Sequence, residues 1–422
     1  MRTSLPHPSR RLLLVCGLAV AVLAYQLSFW AGLGHLDQMG SDFSASYVAS
    51  TVWLQGGNLY DQQLEIARHF ALIPPGDHVT VIDLPFITPP LTAVLVAPLT
   101  LLDLPTAYRL ASLLQYAMLV AAVAVAVRHA PWPSRAPAGL RAAALLGGLA
   151  GVGGWVLLLQ GQWDGVSALS LALAYAAWRR GHRARAGAWL IGGALLAKPH
   201  LALGLAVWML AWRDRRILAG AVAGAAAVIA ASLLLAGPAA CLAWVGSLGG
   251  SATHSPLPSL LGFTGLFGSW LRDGATAQAL AAVCSVLAVG ACWLLGGRAR
   301  RRPDLLEASL AGAVALSLVA APHLLTHDLS LLAPALAWAV AWAATPVRIR
   351  DRRLAAVACG WVMLNLAAYL VLDIGRHPLT APGRVMPLVL IAVGVIAARA
   401  CGVSLRTSRP AAAVAPASSA SR

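Results

Sequence analysis

Along most of this chain, polar residues stand only at the ends of long apolar stretches. Unbroken runs of Leu, Ala, Val and Gly predict helices near 11–30, 106–127, 141–159, 164–178, 217–236, 277–297, 304–321, 328–344, 354–372 and 384–398. Runs this long and apolar need lipid as solvent. A transmembrane barrel would alternate apolar and polar positions, which these runs do not. The pattern predicts an all-α polytopic membrane protein. Two segments fit less simply. Residues 186–212 have arginines at both ends, so they must cross an even number of times; Gly192, Gly193, Lys198 and Pro199 interrupt them. They read as a hairpin of two short helices with Lys198-Pro199-His200 at its tip, since Pro199 disfavours helix at Lys198. Residues 89–102 are short for a span and read as a short tilted helix or a dip into the outer leaflet. The total is about 10–12 transmembrane helices.

Composition agrees. The 422 residues are 59% hydrophobic and only 11% charged, with mean hydropathy +0.75, whereas soluble domains carry about 25% charged residues. A net charge of +16 would suit a nucleic-acid binder, but its placement excludes that reading. The arginines cluster between apolar runs, at 179–185, 213–216, 298–302 and 348–353. This is the bias that keeps loops cytoplasmic during insertion. With those clusters inside, 25 of the 31 basic residues and 4 of the 15 acids are cytoplasmic, leaving 11 acids outside. Outer chemistry is then carried by carboxylates. The topology places both termini in the cytoplasm and leaves two long outer loops, 31–88 and 237–276. Residues 10–31 read as a retained first helix rather than a cleaved signal. Residues 1–403 read as one transmembrane domain, and the Ala/Ser/Pro-rich 404–422 as a disordered tail. Six cysteines without a CxxC pair give no disulfide or metal framework.

The candidate chemistry lies at the outer turns. Residues 42–55 place Phe43, Tyr47, Val48, Thr51 and Val52 at helical spacing, which predicts an amphipathic helix lying at the membrane surface. Asp42 at its start is either a helix cap or a general base held just outside the bilayer; the two are compatible. Gly56-Gly57-Asn58-Leu59-Tyr60-Asp61 reads as the turn that ends this helix. Gln160-Gly161-Gln162-Trp163-Asp164 pinches polar residues between two spans: a cavity lining or a turn capped by Asp164. Lys198 is the only lysine. Between apolar half-helices it needs an anion or water; a bound phosphate would serve, and so would snorkelling to the interface. His323 and His327 are four apart, so a helix would put both on one face. Zinc would need more ligands; an imidazole hydrogen-bonded to a phosphate, or an interfacial histidine, fits better. Arg68, Arg109, Arg272, Arg376 and Arg384 are the few outer arginines able to pair with an anion.

Several of these residues together resemble glycosyltransferase family 87, bacterial membrane enzymes of the GT-C fold typified by polyprenol-phosphate-mannose-dependent α-mannosyltransferases. The resemblance rests on Asp42-Phe43, Tyr47, Ala49, Gly57-Asn58-Leu59-Tyr60-Asp61, Pro89-Pro90-Leu91, Gly161-Gln162, Lys198-Pro199, and Pro322 with His327, over roughly residues 10–400. Asp328 stands where the family commonly has an aromatic residue. The resemblance implies a GT-C-type bundle with juxtamembrane helices in the first outer loop. It implies Asp42 as catalytic base, with His327, or else His323, near the reacting groups. Lys198, Gln162, His323, Arg109, Tyr47, Tyr60 and Asp164 are then expected to bind substrate. The implied reaction moves a hexose, mannose by default, from a polyprenyl-phosphate donor to a glycan or glycolipid acceptor, at the outer face of a bacterial plasma membrane. One base suffices, because a phosphate leaves readily; inversion follows, and no metal or other cofactor is expected. A transporter or lipid flippase is the alternative, since broken helices such as 186–212 also occur there; an inactive structural subunit is a third.

Overall fold

The computed structural model of the protein describes residues 10–34, 37, 41–71, 85–134, 136–248, 257, 260–271, 273–345, 350–374 and 384–402. The expected disordered tail, Arg272 and Arg376 lie outside these residues. Every regular element among them is a helix. In chain order these are α1 (Arg10–Ala31), α2 (Asp42–Leu54), α3 (Gln62–Ala71), α4 (Pro90–Val96), α5 (Leu104–His129), α6 (Ala138–Leu149), α7 (Val152–Gln160), α8 (Asp164–Arg179) and α9 (Arg183–Leu196). They continue with α10 (Leu203–Leu210), α11 (Arg215–Leu235), α12 (Pro238–Ser247), α13 (Phe263–Trp270), α14 (Gly274–Arg301), α15 (Leu306–Ala320), α16 (Leu332–Ala344), α17 (Arg350–Ile374) and α18 (Met386–Ala400). Short 3₁₀ turns extend α4 to Leu101 and introduce α10, α15 and α16.

Four of these helices, α1, α5, α11 and α14, are long and apolar enough to cross a membrane alone, as is the segment Pro303–Ala320. Taken together, α6 and α7, bent by 44° at the break between them, are also long and apolar enough to cross as one broken span. The protein is a multi-pass membrane protein. In lipid a bend exposes backbone groups that no water can satisfy, and here side chains satisfy them. Gln26 Nε2 donates to the Ala150 carbonyl at 3.1 Å, and the Val152 amide donates to Asn365 Oδ1 at 2.7 Å. The predicted hairpin is present as α9, a break at Lys198 and the 3₁₀ turn Pro199–Ala202 leading into α10; Lys198 has left the helix at φ −141°, ψ 80°. Helix α9 lies against α11 at backbone contact. A Cβ on Gly187 would overlap the Ile217 carbonyl, and one on Gly220 or Gly224 would overlap α9 at Ala184 or Ala188. Gly220 and Gly224 have the GxxxG spacing that lets membrane helices approach this closely.

Helix α2 departs from the expectation. It begins and ends as the pattern predicts, and Gly56 at φ +75° turns the chain out of it. It does not lie on a surface, however. Phe43, Tyr47, Val48 and Val52 are buried, and so are Ser44, Ser46 and Ser50. Ser44 Oγ donates to the Ser41 carbonyl at 2.7 Å, and Ser50 Oγ bonds the Ser46 carbonyl at 2.6 Å and the Ala93 carbonyl of α4 at 2.8 Å. A serine counts as polar in a hydropathy pattern, but a hydroxyl bonded to backbone can be buried at small cost. The helix is enclosed by α4, α5 and the Gln160–Asp164 turn.

Candidate active site

The Gln160–Asp164 turn is the scaffold. Helix α7 ends at Gly161, which takes the left-handed conformation at φ +62°, ψ 34°. A Cβ there would be strained and would meet Phe43 Cβ at 2.8 Å, so glycine lets α2 sit directly on the turn. On either side of it two glutamines grip the start of α2. Gln160 Oε1 accepts from the Asp42 amide at 3.0 Å, and Gln162 Nε2 donates to Asp42 Oδ2 in a short hydrogen bond.

This corrects the cap reading of Asp42. The N-cap is Ser41, and Asp42 is the first helical residue. Its carboxylate turns towards Gln162 and the imidazole of His327, whose Nδ1 lies 3.9 Å from Asp42 Oδ2. About a quarter of the Asp42 side chain, 26%, stays open. Burial raises its pKa above the ordinary carboxylate value, while the Gln162 hydrogen bond and the Lys198 charge pull the other way.

Behind this pair lies a buried ionic chain. Lys198 Nζ bridges two carboxylates, Asp328 Oδ1 at 2.7 Å and Asp164 Oδ2 at 3.0 Å. All three residues are buried. The anion that Lys198 needs is thus supplied by the protein itself. Asp328 also caps its own turn, since Oδ2 accepts from the Leu325 amide at 2.7 Å. Its Oδ1 faces His327 Nε2 at 3.5 Å. Side chains thus follow one another in the order Asp42, His327, Asp328, Lys198, Asp164. Burial, then the nearby Lys198 ammonium, pulls the His327 pKa down to about 3, so the imidazole is neutral at ordinary pH. Asp164, His327 and Asp328 also bring three donor atoms within 4.8 Å of one another. Lys198 already stands between the two carboxylates, so a metal bound by both would have to displace it.

The His327 environment gives a sign for acid stability. Unfolded, its pKa returns to about 6.5; folded it is about 3. Between these values the unfolded chain binds the extra proton, so stability is full above about pH 6.5 and is lost as pH falls towards 3. His200, held down to about 4 chiefly by burial, acts in the same direction. In detergent, His327→Gln is expected to show a shallower fall of Tm than wild type between pH 7 and pH 4. An unchanged fall would remove His327 from this account.

Asp42, Gln162, Lys198, His200, His323 and His327 line one polar cavity of about 300 Å³. Residues 85–89, Pro322 and Trp244 complete much of its wall. The helical premise for the two histidines fails: residues 322–325 are non-helical, because the chain leaves α15 at Pro322 and turns 3₁₀ only from Thr326. Both imidazoles still reach the cavity. Other expected binders stand apart from it. Arg109 spends its guanidinium on the carbonyls of Trp30, Ala31 and Leu33 at the end of α1 and stacks on Trp30. Tyr47 donates to the Leu102 carbonyl at 2.8 Å. Tyr60 donates to the Thr88 carbonyl at 2.8 Å and packs on Phe86, so it shapes the cavity wall without lining it. Asp164 sits behind Lys198. Arg68 is bonded to Gln55, and Arg384 to the Ser269 carbonyl. Asp328 and His200 received no role from the sequence. The available signal for Asp328 was the one used for Asp164: an acid wedged between apolar helices.

An apolar groove of about 620 Å³ adjoins this cavity. It runs along Phe43, Val166, Leu173, Trp189 and Leu196, and shares Gly161 and Trp163 with the cavity wall.

Compared with known families, the chain matches the model of glycosyltransferase family 87 over residues 86–322. That stretch is more than half of the 422 residues. The chain belongs to glycosyltransferase family 87. It is therefore a membrane glycosyltransferase, with a sugar donor and an acceptor as its substrates. The matched stretch carries Gln162, Asp164 and Lys198, while Asp42 and His327 flank it on either side. No curated protein and no solved structure matches the chain.

Proposed function

We propose that this family 87 enzyme transfers a hexose, mannose by the family resemblance, from a polyprenyl-phosphate donor to a hydroxyl of a glycan or glycolipid. The observation that carries this reading is the meeting of a polar cavity and an apolar groove at Gly161 and Trp163. A donor with a sugar-phosphate head and a long isoprenoid tail needs both. The head would lie beside Asp42, and the tail along Phe43 and Trp189.

Asp42 would take the proton of the acceptor hydroxyl as the new glycosidic bond forms. The anomeric carbon–oxygen bond to phosphate would break, with the electron pair leaving on the phosphate. One displacement gives inversion. A carboxylate gripped by Gln162 is pre-aimed for this step, and its raised pKa suits a base. His327 acts as a neutral imidazole: with its Nε2 proton turned to Asp328, the Nδ1 lone pair faces Asp42 at 3.9 Å, and a shift of about 1 Å would let it accept a hydrogen bond once Asp42 is protonated. Lys198 lines the cavity, and the ammonium N–H not used by Asp164 and Asp328 can donate to the departing phosphate, while those two carboxylates fix its position. The arginine-rich end would face the cytoplasm, placing this site at the outer face of a bacterial plasma membrane.

Liposomes carrying the purified protein, a soluble mannoside acceptor and either labelled polyprenyl-phosphate mannose or a labelled nucleotide mannose test the donor class. Transfer is expected from the lipid phosphate only. Transfer from the nucleotide sugar in lipid-donor-free liposomes would overturn the reading.

A further inference from the structure

A second cavity, of about 210 Å³, opens between α15, α16, α17 and α18 at the arginine-rich end of the bundle. Its wall is apolar, with Leu336, Val357, Leu364 and Ile396 among the lining, except for one charged group, Arg353. Arg353 is half-buried, with its guanidinium carbon 4.3 Å from the centre of the Trp342 ring. No carboxylate among the described residues forms an ion pair with it.

The crevice is held open by the way α17 is attached. Trp361, itself part of the crevice wall, donates from Nε1 to the Gly147 carbonyl at 3.0 Å, and Asn365 Oδ1 accepts from the Val152 amide at 2.7 Å. Those bonds fix α17 to α6 and α7 and leave it standing off α15. Gly360 lines the crevice, and a Cβ on it would meet nothing within 4 Å. An apolar slot in a bilayer is open to acyl chains. A guanidinium at its rim without an ion-pair partner among the described residues suits an anion from outside, and basic pockets between membrane helices on the cytoplasmic side select anionic head groups. On the same turn Arg350 is paired with Asp351 at 3.2 Å and Arg352 is exposed, which leaves Arg353 as the cation that faces the crevice.

We propose that this crevice binds an anionic phospholipid, with an acyl chain between α17 and α18 and the phosphate at Arg353. The proposal is independent of the glycosyl-transfer site. It is tested on the full-length protein, delipidated in nonionic detergent, by native mass spectrometry and thermal shift with dioleoyl phosphatidylglycerol or dioleoyl phosphatidylcholine. Wild type is expected to retain one phosphatidylglycerol and to gain several degrees in Tm over phosphatidylcholine. Arg353→Gln, which removes the charge, and Gly360→Leu, which fills open space with a better helix former, are each expected to weaken phosphatidylglycerol binding at least tenfold. Their Tm in phosphatidylcholine should stay near wild type. Arg352→Gln, exposed on the same helix, should bind as wild type does. Equal stabilisation of wild type by the two lipids would overturn the proposal. So would retention of phosphatidylglycerol by both crevice variants, or a loss in Arg352→Gln as large as in Arg353→Gln.

Discussion

Asp42→Asn is expected to insert and fold like wild type and to lose about 10²–10⁴-fold in kcat, the usual worth of a positioned general base. The amide keeps the size of the side chain and can still face Gln162, whose own amide can turn to present either its oxygen or its nitrogen. The backbone hydrogen bond to Gln160 is untouched. What disappears is the ability to accept a proton. Because donor contacts remain, KM for the lipid donor should change little, so the loss falls on kcat. The wild-type pH profile should corroborate this. Burial raises the Asp42 pKa, so activity should fall on acidification before the ordinary carboxylate range is reached, and Asp42→Asn should lack that limb. Undiminished transfer by a folded Asp42→Asn protein would remove Asp42 from the chemistry.

Lys198→Met should act on the fold first. The ammonium is buried between Asp164 and Asp328 at 3.0 and 2.7 Å. Removing it leaves two carboxylates facing each other without compensation, and breaking a buried ion pair this way costs about 3–5 kcal/mol. The measurement is thermal unfolding in detergent, where Tm should fall by many degrees or the protein should fail to accumulate. The double variant Lys198→Met/Asp164→Asn should recover part of that loss, since it removes one of the two orphaned charges. Lys198→Arg keeps the charge but changes the reach, and should fall between wild type and Lys198→Met. A well-folded Lys198→Met protein with wild-type Tm would show that the three side chains are not energetically coupled.

The helices were legible because lipid leaves little choice. A span must be apolar over its whole length, and the charges at its ends orient it. The hairpin at 186–212 followed from parity of crossings and from Pro199. The proximity of Asp42 and His327 was legible only through the family resemblance, since the 284 intervening positions carry no distance information. Two local patterns misled. The period of α2 marked a single apolar face, yet Ser44 and Ser50 are buried too, because their hydroxyls bond backbone carbonyls. The four-residue spacing of His323 and His327 meant a shared helix face only if a helix ran through Pro322–Leu325, and none does.

The sequence by itself thus determined a helical membrane protein, the end of the bundle that carries the acids, and a short set of polar residues with no apolar duty to perform. Tertiary structure alone decided what those residues do to one another. It set Gln162 and His327 on Asp42, spent Arg109 on the end of α1, and enclosed Lys198 between two carboxylates. The physical reason is the range of the forces. Burial of apolar surface acts residue by residue and is written along the chain, whereas a hydrogen bond or a buried ion pair is decided within a few ångströms, between segments that only the folded bundle brings together.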